Sequence, residues 1–231
     1  SPVPDFPLVR PGILAGKALA IGTTQEALYL GAVANACLMT GRVDEAEQLC
    51  RQAMALAPQD PNPHLILAGV HERRGDAEKA RAENEAALAL DPYAVEALVP
   101  LAKDAVQAGR LEDAARLYEQ IAQAQPENVE AHAKLGECRQ QMGDFEGAAE
   151  AYARALRVDG SAWQTRLALA SCNAAAGRGP EALAEYERVV AGGGARSGVA
   201  WFLLGIGYEF SGRPAEAARA FERSLALEPQ G

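Results

Sequence analysis

The sequence predicts an all-α solenoid of six helix–turn–helix repeats preceded by a half-repeat helix, and three series of residues predict it. Glycine recurs at 41, 75, 109, 143, 177 and 212, in steps of 34, 34, 34, 34 and 35. Five residues after each glycine comes an alanine: Ala46, Ala80, Ala114, Ala148, Ala182 and Ala217. Twelve residues after the alanine stand Pro58, Pro92, Pro126, Gly160, Gly194 and Pro229. Three markers that keep one register through six copies are the signature of stacked repeats.

Each marker has a physical role. The glycine takes the left-handed conformation that ends the first helix of a repeat. The alanine lies where the two helices cross, and a larger side chain there would push them apart. The proline ends the second helix because it cannot donate the next backbone hydrogen bond. The repeats then span 27–60, 61–94, 95–128, 129–162, 163–197 and 198–231. Residues 1–26 hold an extended arm over 1–9, with Pro2, Pro4 and Pro7, and a helix over 10–22. Lys17–Gly22 reads like the ends of later second helices, such as Ala86–Asp91, so it predicts half a repeat packed on the first full one. Thr23 and Glu26 form a capping box that starts the next helix there. Asp91-Pro92 reads as the N-cap and first residue of a helix, which puts Pro100 inside it and predicts a kink. The fifth copy is the most divergent: its end, Ala191–Ser197, carries three glycines and the one inserted residue.

Composition narrows the function. Of 231 residues, 49% are hydrophobic but only 6% aromatic, so the core must be built from Ala, Leu and Val. A net charge of −9 repels a phosphate backbone, which argues against nucleic acid and mildly favours a basic protein partner. No apolar run reaches the roughly 18 residues that span a bilayer, so membrane insertion is not expected. Cys37, Cys50, Cys138 and Cys172 have no paired spacing and read as buried thiols, which favours a reducing, cytoplasmic setting over the periplasm. A Cys37–Cys50 disulfide stays open, since both fall on paired core positions.

The motifs of catalysis do not occur: no HExxH, GxSxG, phosphate loop or dinucleotide fingerprint is present, and no enzyme activity, cofactor or metal is expected. Gly205-Ile-Gly207 lies inside a first helix. His64 and His71 are seven residues apart, roughly 10 Å along a helix, too far to share one metal. With Asn84 they predict a small hydrogen-bonded polar cluster in the second repeat.

The last copy resembles the tetratricopeptide (TPR) consensus at Trp201, Leu204, Gly205, Tyr208, Gly212, Ala217, Phe221 and Pro229. The resemblance extends over the six repeats and implies a right-handed superhelix whose first helices line a concave face. Arg166 and Asn173 depart from it where aromatics are expected. In that family, ligands touch the second, fifth, ninth, twelfth and thirteenth repeat positions. Carried over, these include Asn35, Met39, Leu65, Glu72, Val99, Lys103, Gln107, Glu137, Gln141, Leu167, Phe202 and Ile206, with Gly31 and Leu38 among the rest. The carboxylate clamp of co-chaperone members is not matched: Asn35 fits, but Gly31, Ile66, Glu96 and Pro100 stand at its other positions. The asparagine ladder of sugar-transferase members is absent as well, with Ala32, Ile66, Pro100, Lys134, Ala168 and Leu203 in its place. What remains implied is a scaffold that binds a partner's peptide or helix in a groove apolar at both ends and polar in the middle. The alternatives are a self-associating homo-oligomer and the targeting domain of a larger enzyme. Exposed Trp201, Phe210 and Phe221 would favour self-association or a further repeat.

Overall fold

The computed structural model describes residues 11–227, with side chains from residue 22 onward. The described residues are all-α. Twelve helices follow in order: α1 (Pro11–Met39), α2 (Val43–Leu56), α3 (Asn62–Arg74), α4 (Ala77–Leu90), α5 (Val95–Gln107), α6 (Leu111–Ala124), α7 (Val129–Gln141), α8 (Phe145–Val158), α9 (Trp163–Ala175), α10 (Gly179–Ala191), α11 (Gly198–Phe210) and α12 (Pro214–Leu227). A 3-10 turn, Gly193–Arg196, precedes α11 and takes up the residue inserted in the fifth repeat. The chain divides into two compact units, the first ending at Ala97 and the second beginning at Leu98.

The glycine and alanine series do what their chemistry requires throughout, and the third series does so in the first four repeats. The six period glycines have φ between 69° and 81°, a region that residues with a Cβ rarely enter. The residue after each glycine donates its N–H to the carbonyl five residues back, as in Arg42 to Cys37 (2.8 Å) and Arg178 to Asn173 (2.8 Å). That bond satisfies a carbonyl the helix end would otherwise leave open. The six crossing alanines are all buried, none more than 4% exposed. Helices α2, α4 and α6 stop two residues before Pro58, Pro92 and Pro126, and α8 stops two before Gly160. Pro229 and the arm over 1–9 lie outside the described residues.

Within the units, first helices pack on their second helices (α1 on α2, α3 on α4, α7 on α8, α9 on α10, α11 on α12). The cores are made of small side chains interrupted by single rings. In the fourth repeat the Tyr152 ring lies against Gly136, where an added Cβ would meet it at 2.8 Å. Phe221 lies in the same way on Gly205, at 2.5 Å. A ring on one helix and a missing side chain on the other set how closely each pair can approach.

Two helix starts differ from the sequence reading. The helix over 10–22 is present, but it runs through Thr23 and Glu26 into the first repeat as one helix, α1, so no capping box forms. Gly22 keeps a negative φ, and no proline lies between residues 12 and 39 to break the ladder. Asp91-Pro92 does not open α5 either. Asp91 ends α4, its carboxylate accepts the N–H of Tyr93 (3.0 Å), and α5 begins at Val95. The short side chain captures a nearby backbone donor and makes a turn, and Asp60 and Asp159 do the same at the equivalent loops. Pro100 is thus the sixth residue of α5, and the helix continues to Gln107.

Candidate functional site

In the first unit, Asn35 and Met39 lie on α1 and Leu65 and Glu72 on α3. Asn35 and Glu72 are exposed, Met39 is 71% exposed, and Leu65 packs half-buried against Ala87, Ala94 and Ala97. Gly31 and Leu38 do not belong with them. Gly31 is buried, and Leu38 is buried with a methyl group against Gly69, so both serve the core. Leu38 lies one residue from Cys37, on the edge of the helix face that meets α2 and α3.

In the second unit, α5 presents Val99, Lys103 and Gln107, α7 presents Glu137 and Gln141, α9 presents Leu167, and α11 presents Phe202 and Ile206. Lys103, Gln107, Gln141 and Phe202 are exposed; Val99, Glu137, Leu167 and Ile206 are half-buried. Glu137 is not a free anion, because Lys134 donates to it at 2.7 Å. That bond, ahead of the opposing effect of burial, raises the Lys134 pKa. Opposite charges three residues apart on a helix were the available signal for this pair. Gln140 accepts the Tyr152 hydroxyl (2.9 Å), and the Tyr186 hydroxyl reaches Ser171 (3.3 Å). Side chains of second helices therefore hold two polar groups of the first-helix face in place. Phe202 lies 5.7 Å from Phe221, ring to ring.

Family models of the tetratricopeptide repeat match residues 38–98 and 105–165, and further models of the same repeat match 139–198 and 198–230. The chain is a tetratricopeptide repeat protein. Solved structures of other TPR proteins share its fold. The crystal structure of YrrB, described as a TPR protein with an unusual peptide-binding site, superposes with a TM-score of 0.67 at 20% identity, covering 78% of this chain and 93% of YrrB. MamA superposes with a TM-score of 0.62 at 23% identity, covering 71% of this chain and 95% of MamA. PilF of Pseudomonas aeruginosa gives 0.56 at 21% identity, covering 91% and 95%. No curated protein matches the sequence. TPR repeats are typically non-catalytic scaffolds for protein–protein interaction, and that is the general role of this TPR chain.

Polar residues inside the TPR cores are paired more specifically than the sequence shows. His64 meets Glu83 of α4, Nδ1 to Oε2 at 2.6 Å, while His71 is buried with no partner for Nδ1 among the described residues. The expected His64–His71–Asn84 hydrogen-bonded cluster is therefore replaced by a His64–Glu83 pair, and His71 and Asn84 are buried. Glu83 carries the pairing because it lies one position before Asn84, on the side of α4 that meets His64. All four cysteines are buried free thiols, so Cys37 and Cys50 are not bonded. Burial, and after it the carboxylates of Glu83 and Glu47, pushes the Cys50 thiol up to about 12. Burial takes Cys172 to about 11. Neither forms an appreciable thiolate at neutral pH. Of Trp201, Phe210 and Phe221, only Phe210 is uncovered, at 90% exposure. Trp201 is half-buried and donates its indole N–H to the Ala195 carbonyl (2.9 Å), and Phe221 is half-buried beneath Phe202. No described helix is long and apolar enough to cross a membrane.

Proposed function

We propose that the exposed faces of the first helices bind a peptide or helix of a partner protein, in the first unit through Asn35, Met39, Leu65 and Glu72, and in the second unit through Val99, Lys103, Gln107, Glu137, Gln141, Leu167, Phe202 and Ile206. One observation carries the reading: none of the twelve side chains is buried, although core residues such as Cys37, Ala102 and Leu204 lie within two positions of them. Helices that bury one face completely and leave amides, charges and large apolar groups on another offer the mixed surface that peptide recognition uses. YrrB, with the same fold, is described as having a peptide-binding site. At the family's ligand positions Glu72, Glu96, Glu130, Glu137 and Glu209 outnumber Lys103 and, at position thirteen of the second repeat, Arg73; the net charge is −9, so a basic segment is favoured.

The test is affinity capture with the wild-type chain and with Lys103→Glu. The substitution removes a like charge and adds an opposite one, so it should increase capture of a basic partner segment while circular dichroism stays unchanged. Equal capture by both proteins would remove α5 from the binding face.

A second reading, association between copies, draws on Phe210, which is 90% exposed on the same helix as half-exposed Phe202. Light scattering across a wide concentration range tests it. A constant mass near that of one chain rules it out, and a rise that Phe210→Ser abolishes supports it.

A further inference from the structure

Three junctions between successive repeats are built from the same positions. Between α2 and α3, Cys50 and Met54 pack with Ile66 and Leu67. Between α8 and α9, Tyr152 and Leu156 pack with Ala168 and Leu169. Between α10 and α11, Tyr186 and Val190 pack with Leu203 and Leu204. Positions twenty-four and twenty-eight of a second helix thus meet positions six and seven of the first helix that follows. Position ten adds Cys172 to the α8–α9 cluster, and Val70 and Cys138 are buried at the same position.

Both halves of this junction recur uncovered. Among the described residues no helix follows α12 and none precedes α1. Position twenty-eight of α12 is Leu225, 68% exposed, whereas Met54, Leu156 and Val190 are half-buried and Ala122 is buried at that position. Position twenty-four is Phe221, half-buried where Cys50, Tyr152 and Tyr186 are buried. On α1, positions six and ten are Ala32 and Ala36, both exposed. Position seven is Val33, half-buried where Leu67, Leu169 and Leu204 are buried. Tyr29, one turn earlier, is 69% exposed at a position where Ala131 and Ala200 are buried. None of these uncovered side chains is charged, although 23% of the chain is. A solenoid end that faces water needs a polar outer face.

We propose that these two faces meet between copies of the chain: α12 of one copy packs on α1 of the next, with Phe221 and Leu225 against Ala32, Val33 and Ala36. The occupant is a second copy because each face is one half of a junction that this chain already makes within itself, at the same positions and with the same apolar chemistry. In the α8–α9 junction an alanine at position six, Ala168, shares a cluster with a leucine at position twenty-eight, Leu156, and Ala32 and Leu225 repeat that pair. The contact joins two different surfaces, so each copy keeps one face of each kind free and association is not limited to a dimer. It gives the association between copies a different surface from Phe210, and it stands or falls separately from the peptide-binding face.

The experiment is light scattering of the full chain and of two variants at exposed positions, Leu225→Glu on α12 and Ala36→Glu on α1, each alone and then mixed. The mass of wild type should rise with concentration beyond that of two chains. Each variant has lost one face and should stay at the mass of one chain, with unchanged helicity. An equimolar mixture should reach the mass of two chains and stop there, because one intact α12 face then meets one intact α1 face and only altered faces remain. Phe210→Ser should grow as wild type does. The proposal is overturned if wild type keeps the mass of one chain, if either face variant grows as wild type does, or if the mixture stays at one chain or exceeds two. Growth that Phe210→Ser abolishes and both face variants retain would leave association standing through Phe210 and remove this contact.

Discussion

The second and fifth repeats solve one packing problem with different side chains. At position four, where the sixth repeat has Trp201, they carry His64 and Arg166. Both reach the same place on their own second helix, Glu83 at 2.6 Å and Glu185 at 2.8 Å. Along the whole chain these two places vary together: Leu30 with Leu49, Leu98 with Leu117, His132 with Ala151 and Trp201 with Ala220. Apolar meets apolar, a ring meets alanine, and a base meets an acid. The two ion pairs still differ in how firmly they are built. Arg166 also donates to the Gly160 carbonyl (2.9 Å), and Arg188 shares Glu185. His132 and Trp201 bond the same carbonyl six residues back, at Pro126 and Ala195. Among the described residues His64 is bound to Glu83 alone, and an imidazole is ionic only when protonated, whereas a guanidinium is always charged. A polar core position is therefore tolerated in proportion to the bonds that close around it.

Removing the acid should separate the two repeats most. Glu185→Ala leaves two guanidiniums side by side, one of them only 21% exposed, and should cost about 2–4 kcal/mol. Glu83→Ala leaves an imidazole that can shed its charge, and should cost about 1 kcal/mol. Repeat arrays open locally, so the readout is hydrogen exchange of α9 and α10 in one variant and of α3 and α4 in the other. Equal losses of protection would mean that the permanence of the charge does not matter.

A smaller effect is expected from converting the second repeat to the pattern of the sixth. His64→Trp alone crowds Glu83, and Glu83→Ala alone leaves a gap, but together they reproduce the Trp201–Ala220 pair. The indole N–H can then donate to the Pro58 carbonyl, six residues back, as Trp201 does to Ala195. The double variant should be more stable than the sum of the singles by about 1–2 kcal/mol, measured as a double-mutant cycle in urea. Additive losses would show that the two places are not partners in the second repeat.

The parts of the fold legible in the sequence are those decided within a few residues. A glycine at positive φ, an alanine at a crossing and a proline after a helix are each set by the repeat register, and the first two series hold throughout while the third holds in the first four repeats. What escaped depends on competition or on distance. Thr23 and Glu26 had the right spacing for a cap, yet nothing next to them stops a helix that already runs. Asp91 could serve either the helix behind it or the one ahead, and the turn with Tyr93 won. Glu83 and Glu185 lie nineteen residues from their bases, visible only once the two helices of a repeat are aligned position by position. The proposed binding face was read from family positions, which explains why exposed Lys103 and buried Leu38 came from one rule: the rule knows the repeat register but not how deep each helix sinks into its neighbours.

The smallest effect expected concerns pH. At the end of α3, Arg74 is tied to the preceding repeat through Asp44 (2.6 Å) and Glu47 (2.8 Å), whereas position fourteen of the fifth repeat is Ala176 and makes no such tie. The hydrogen bond from Arg74 outweighs burial and lowers the Glu47 pKa below its usual 4.5. A depressed carboxylate contributes stability that is complete above about pH 4.5 and lost as pH falls through the folded-state value. Acid should therefore loosen the contact of α2 with α3 through this group, and the α8–α9 contact lacks the corresponding device. In Arg74→Met the contribution is absent at neutral pH, so protection of α2 and α3 starts lower and falls less steeply between pH 5 and 3. If wild type and variant lose protection in parallel over that range, Glu47 is not the group that couples the first two repeats to pH.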